Sequence, residues 1–155
     1  MSEEFSFTAK FNMESAEHME AFEEMLEHLE MYEREEAEAI MQQYQAASAQ
    51  QRISELTSPY SSYNEHSNLA KMYIDTYDDN HCDAEFKIYK SRRKGKITLE
   101  GYDHDADDVC AALVLLLVAM GASSIQASGG SGQWFACYQT DARGQLTLTF
   151  ETESD

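Results

Sequence analysis

The chain has little with which to do covalent or redox chemistry. It holds three cysteines, Cys82, Cys110 and Cys137, odd in number and with no C-x-x-C pair, which argues against a disulfide framework and for reduced thiols. G-x-S-x-G, P-loop, G-x-G-x-x-G and H-E-x-x-H signatures are all missing. The expectation is a protein that is not an enzyme and uses no cofactor. Positive charge is equally scarce: eleven Lys and Arg stand against 29 Asp and Glu, for a formal net charge of −18. Such a chain is repelled by nucleic acid and by anionic membranes, so an electrostatic partner has to be basic or a cation. MSEEFSF at the start has no basic or apolar run, so no secretion signal is expected and the cytoplasm is the default compartment.

Long apolar runs are limited to one, VCAALVLLLVAM from Val109 to Met120. As a helix it spans about 18 Å, short of the roughly 30 Å of a bilayer core. Having no polar residue every third or fourth position, it has to be covered on nearly all sides. Asp105 is a natural N-cap, Asp107 and Asp108 suit the first turn, and Gly121 supplies a left-handed stop, so a buried helix is predicted over 105–120.

Phe5, Phe7, Ala9 and Phe11 alternate with Ser6, Thr8 and Lys10, the period of a strand with one buried face. Ser15 then caps a helix whose Met19, Phe22, Met25, Leu26, Leu29 and Tyr32 share one side. Glu33 and Glu36 interrupt that side before Ile40, Tyr44 and Ala47 return to it, which predicts one long acidic helix, 16–47. Its middle is expected to leave the body of a single domain spanning 1–155, with about 33–56 projecting. Ile53 and Leu56 suggest a separate short helix, and TSPYSSYNEHSN, with the only proline, Pro59, is expected to be a loop. Strands are predicted over 71–77, 84–90, 96–102 and 124–127, then a flexible SGGSG loop, then a hairpin of 133–140 and 145–152. This order implies an α+β fold with both helices on one side of a mostly antiparallel sheet. Displaced by 90 residues, FTAKFNMESAEHMEAFEEMLEHL from Phe7 lies over ITLEGYDHDADDVCAALVLLLVA from Ile97, strand on strand and cap on cap. That repeat predicts a duplicated, ferredoxin-like arrangement.

The most specific feature is glutamate at 14, 17, 20, 23, 24, 27, 30, 33, 35, 36 and 38, opposed only by Arg34. Wound as one helix, these give one charge per roughly 3.4 Å of axis, the spacing of one DNA strand. Like charges at 20/24 and 23/27 repel where most helices place Glu with Lys, so the chain tolerates a small cost to keep them. Met31, alone on that acidic face, suits a contact surface. In size, acidity and helix charge the chain resembles small phage or mobile-element inhibitors of the anti-CRISPR and antirestriction type. The resemblance implies a nucleic-acid mimic that binds a basic nucleic-acid-handling protein and touches no nucleic acid itself. Glu17, Glu20, Glu24, Glu27, Met31, Glu35 and Glu38 would form the contact.

Other stretches offer alternatives. Lys90 to Lys96, KSRRKGK, reads as an exposed hairpin tip or as a contact with the glutamate helix of another copy in a homodimer. No metal site is expected, although His104, Asp105 and Asp108 within the Asp103–Asp108 loop have oxygen and imidazole donors close together, and His81–Cys82 lies among aspartates. The competing function is therefore a small ferredoxin-like ligand- or metal-binding domain, or an enzyme, with its site in that loop. Tyr60, Tyr63 and His66 are further interface candidates.

Overall fold

The structure is a computed structural model that describes residues 4–31, 33–44, 83–102, 110, 113–114, 116–118, 120–140 and 146–152. The expected strand 71–77, the helix around Ile53, the aromatic loop, His81–Cys82 and the Asp103–Asp108 loop with His104, Asp105 and Asp108 lie outside those residues.

The fold is α+β. β1 (Glu4–Asn12) is followed by α1 (Ala16–Glu30) and α2 (Arg34–Tyr44), then by β2 (Asp83–Ile88) and β3 (Lys94–Tyr102). After a helical stretch at 110, 113–114 and 116–118 come β4 (Ser123–Gly130), β5 (Trp134–Thr140) and β6 (Leu146–Thr152). The six strands form one sheet in the order β2-β3-β1-β4-β5-β6, with every neighbouring pair antiparallel. The first four strands and the helices between them have the order and connectivity of a ferredoxin-like split βαβ unit, which β5 and β6 extend.

The 90-residue repeat has a structural counterpart. β1 and β3 are both nine residues long, their ends are displaced by 90, and they pair from Glu4↔Tyr102 to Asn12↔Lys94. The pairing is symmetric about Thr8↔Thr98, whose hydroxyls lie 3.4 Å apart. That is where a two-fold relating each residue to the one 90 further on has to pass. The buried sides of the two strands, Phe5, Phe7, Ala9 and Phe11 facing Ile97 and Leu99, follow from the same alternation.

One face of the sheet carries the core. Phe22 of α1 meets Phe11 of β1 edge-on at 5.6 Å and Phe86 of β2 at 5.7 Å. Cys110, Leu113, Val114, Leu116, Leu117 and Val118 are all buried in the same cluster, as their unbroken apolarity requires. This helix ends as expected at Gly121, with φ +86°. The Gly121 N–H bonds Val118 O at 3.1 Å and the Ala122 N–H bonds Leu117 O at 2.9 Å, the paired bonds of a Schellman cap.

Two expectations are corrected. The helix predicted over 16–47 is two helices, and α2 does not project: Ala37 and Met41 are buried in the core and Tyr44 returns to the start of α1. The break stands at Met31–Glu33, where the Met31 N–H reaches Glu27 O and the Glu33 N–H reaches back to His28 O at 2.8 Å. Burying α2 recovers more than a few continued helical hydrogen bonds would. The SGGSG segment is not a flexible loop through its first half either. Ser128, Gly129 and Gly130 are ladder residues of β4, paired with Thr8, Phe7 and Ser6 on one side and with β5 on the other.

Candidate acidic interface

The acidic surface is built on a helical hairpin. Ser15 starts α1, its hydroxyl accepting the His18 N–H at 3.2 Å. Met19, Phe22, Met25 and Leu29 then turn toward the sheet, which leaves Glu17, Glu20, Glu24, Glu27 and Glu30 exposed and Glu23 half-buried. After the elbow, α2 runs back along α1 with Glu35 and Glu36 in its first turn, where the helix dipole favours them. Both ends of the hairpin are fastened. At the elbow His28 stands between Glu24 at 3.7 Å and Glu33 at 3.3 Å. At the open end the Tyr44 hydroxyl donates to Glu17 Oε1 at 3.0 Å, and its ring packs edge-on to His18 at 5.1 Å.

The predicted contact residues are therefore redistributed. Glu17, Glu20, Glu24 and Glu27 remain in series on α1. Met31 is the helix C-cap, 71% exposed at the elbow, and is not the middle of a ridge. Glu35 and Glu38 lie on the returning helix, Glu35 exposed and Glu38 half-buried, so they widen the surface instead of lengthening it. The predicted contact set left out Glu23 and Glu30 of the acidic series, which with Leu26, Glu27, Ala84 and Phe86 line a groove between α1 and β2. The signal for it was the i, i+3, i+4, i+7 series Glu23, Leu26, Glu27, Glu30.

Among the described residues no lysine pairs with these carboxylates, and His18, His28 and Tyr44 are among their contacts. The Tyr44 phenol is held above its ordinary value, first by the bond it donates to Glu17, then by desolvation, then by the charges of Glu17, Glu20 and Glu24. A raised folded value means that the neutral phenol favours the folded state below the unfolded pKa, about 10, and that this contribution disappears as pH rises through the folded value. Alkaline urea titrations are expected to show a steeper loss of stability for the native chain than for Tyr44→Phe; coincident curves would mean that the bond to Glu17 adds nothing.

The cations gather elsewhere. Lys87, Lys96 and Lys10 stand abreast on β2, β3 and β1, on the sheet face away from the helices. The basic turn continues the cluster as an exposed tip, with Arg92 at φ +58° and the Tyr89 N–H bonded to Lys94 O at 3.0 Å. Lys87 Nζ lies 5.1 Å from the Tyr89 ring centroid, and Arg93 Nη2 donates to the Glu14 carbonyl at 2.8 Å. Like charges directly opposite each other in a sheet are destabilising, so this row is tolerated rather than stabilising. Among the described residues no group of His, Cys, Asp and Glu is arranged to hold a metal ion, and no helix is long and apolar enough to cross a membrane. Compared with protein-family models, with curated proteins and with solved structures, the chain finds no match.

Proposed function

We propose that the α1–α2 hairpin is a carboxylate surface read by a basic, nucleic-acid-handling protein, which it occupies in place of polynucleotide. The observation that carries this reading is the absence, among the described residues, of any lysine neutralising the exposed glutamates of α1. The hairpin shortens the ridge and slightly lowers its density. The six glutamates of α1 lie along a 15-residue helix of about 22 Å, or one per roughly 3.8 Å, against about 3.4 Å in one DNA strand. Met31 at the elbow adds an apolar anchor of a kind that interface cores favour. Nucleases of CRISPR and restriction systems are the first targets to test, given the likeness in size and acidity to their inhibitors.

The test is binding to purified nucleic-acid-binding proteins across a salt series, with polynucleotide as competitor. Binding is expected to weaken steeply and be gone near 0.5 M salt, since charges are screened within about 10 Å at 0.1 M. Complexes indifferent to salt, or Glu20/Glu24/Glu27 charge-reversed variants that bind like the parent, overturn it. The abreast lysines favour one second reading, a head-to-tail contact with the acidic hairpin of another copy. Solution mass at low salt separates the two, because only self-association raises it without a partner.

A further inference from the structure

We propose that the basic end of the sheet binds a free nucleoside phosphate, in the recess between the β2–β3 turn and the ends of β1 and β4. The site is separate from the acidic hairpin and does not depend on how that surface is read. Lys10, Lys87 and the five cations from Lys90 to Lys96 gather there, seven of the eleven Lys and Arg in a chain of net charge −18. The recess, of about 750 Å³, is lined by Lys10, Lys90 and Lys94 with Asn12, Ser91 and Gln126, and no aspartate or glutamate lines it. A hollow of that size takes a small organic ligand.

The recess is built and open. The Met13 N–H donates to Arg93 O at 2.6 Å and Arg93 Nη2 to the Glu14 carbonyl at 2.8 Å, so the turn that carries Lys90 and Lys94 is fastened to the end of β1. Lys10, Lys90, Ser91, Lys94 and Gln126 are all exposed. The chain enters β2 at Asp83 and leaves β3 at Tyr102, both at the other end of these strands. Keeping the cations here has a cost. Lys96 stands directly opposite Lys10 and Lys87, and Arg92 takes a φ of +58° that glycine would adopt without strain.

Three ammonium groups around one recess suit a chain of phosphates better than a single carboxylate. Tyr89 lines the same recess, is 37% exposed, and offers its ring to a flat base. Stacking of that kind tolerates any base, so it selects the class of ligand and not the identity of the base. Asn12, Ser91 and Gln126 add neutral donors and acceptors. A polynucleotide is the poorer occupant: a long polyanion has to enter the field of the whole chain, whereas a free nucleotide brings a few charges to the one place where cations gather.

The probe is ATP without magnesium, titrated calorimetrically into the full chain at about 0.1 M salt, beside tripolyphosphate, a single-stranded oligonucleotide and polyglutamate. ATP is expected to bind. Lys10→Gln with Lys94→Gln is expected to weaken it at least about tenfold without lowering the urea midpoint, because the pair of changes relieves repulsion. Tyr89→Ala is expected to weaken ATP several-fold and tripolyphosphate not at all. Amide shifts in the unmodified protein, expected at 10–12, 89–95 and 124–126, decide the location even if a variant folds poorly. No binding of ATP, shifts elsewhere, or full binding by the folded double lysine variant overturns the site. Tripolyphosphate as tight as ATP overturns the nucleotide in favour of any polyanion. An oligonucleotide tighter than ATP overturns the free ligand in favour of a polynucleotide. Displacement of ATP by an equal concentration of polyglutamate overturns it in favour of the acidic hairpin of a second copy.

Discussion

Replacing Gly129 with alanine is expected to remove about 3 kcal/mol of folding stability, a large part of the 5–15 kcal/mol typical of a domain. Gly129 sits in β4 between Phe7 of β1 and Ala136 of β5. A methyl group there would run into the Ser6 carbonyl oxygen and stand 2.5 Å from the Phe7 Cα. Both are backbone atoms of the strand at the heart of the sheet, so neither yields as the tip of a side chain would. β1 is also paired on its far side with β3 over nine positions, and the displacement would pass to both ladders. Urea unfolding checks this directly, with Ser128→Ala beside it as a control on an exposed ladder position expected to stay within about 0.5 kcal/mol. A Gly129→Ala midpoint equal to that of the control would mean that β1 and β4 are not packed as closely as described.

The same glycine marks where the sequence misleads. Ser128-Gly-Gly reads as a loop because glycine usually signals chain freedom, yet here two backbones approach too closely for any Cβ, a fact that belongs to the neighbouring strands. Where the pattern depends on one element, it was readable. The alternation of Phe5 to Phe11, the stripe from Met19 to Leu29, the burial of the described residues between Cys110 and Met120 and the stop at Gly121 all follow from local periodicity and local sterics. The 90-residue repeat aligned these two strands, and the structure adds that they pair with each other at the centre of the sheet.

The helix break at Met31–Glu33 was present in the sequence only as a conflict of phase. No glycine or proline marks it, and Glu33 and Glu36 on the apolar face fitted a projecting helix as well as a reversing one. What decides is the burial of Ala37 and Met41 after the chain turns back, a long-range gain that no local window contains. The lysine row was illegible for the same reason: Lys10 and Lys87 are far apart in the chain and become neighbours only through β3. The acidic interface stands between these cases. Its residues were visible one by one, but their arrangement as a surface two helices wide required the fold.

That arrangement sets up a variant in which stability and binding move in opposite directions. Glu24→Lys with Glu27→Lys turns the repelling pairs Glu20/Glu24 and Glu23/Glu27 into Glu-to-Lys pairs four residues apart, in the favourable orientation. Each conversion is worth about 0.2–0.5 kcal/mol for the new pair and a similar amount for the lost repulsion. The contact of Glu24 with His28 is lost, but at 3.7 Å on a largely exposed carboxylate it contributes little. The double variant is therefore expected to unfold at higher temperature than the parent. Toward a basic partner it is expected to lose at least about tenfold in association rate at low salt, because the change falls in the middle of the surface that steers the encounter. The difference is expected to shrink as salt rises. Thermal melts and association rates measured on the same two proteins at low and high salt decide it. That outcome would fit the proposal that the repelling carboxylates are kept, where lysines would stabilise the chain, for what they bind. A variant both more stable and equally fast in binding would remove that explanation and leave the glutamates as an ordinary solvated helix face.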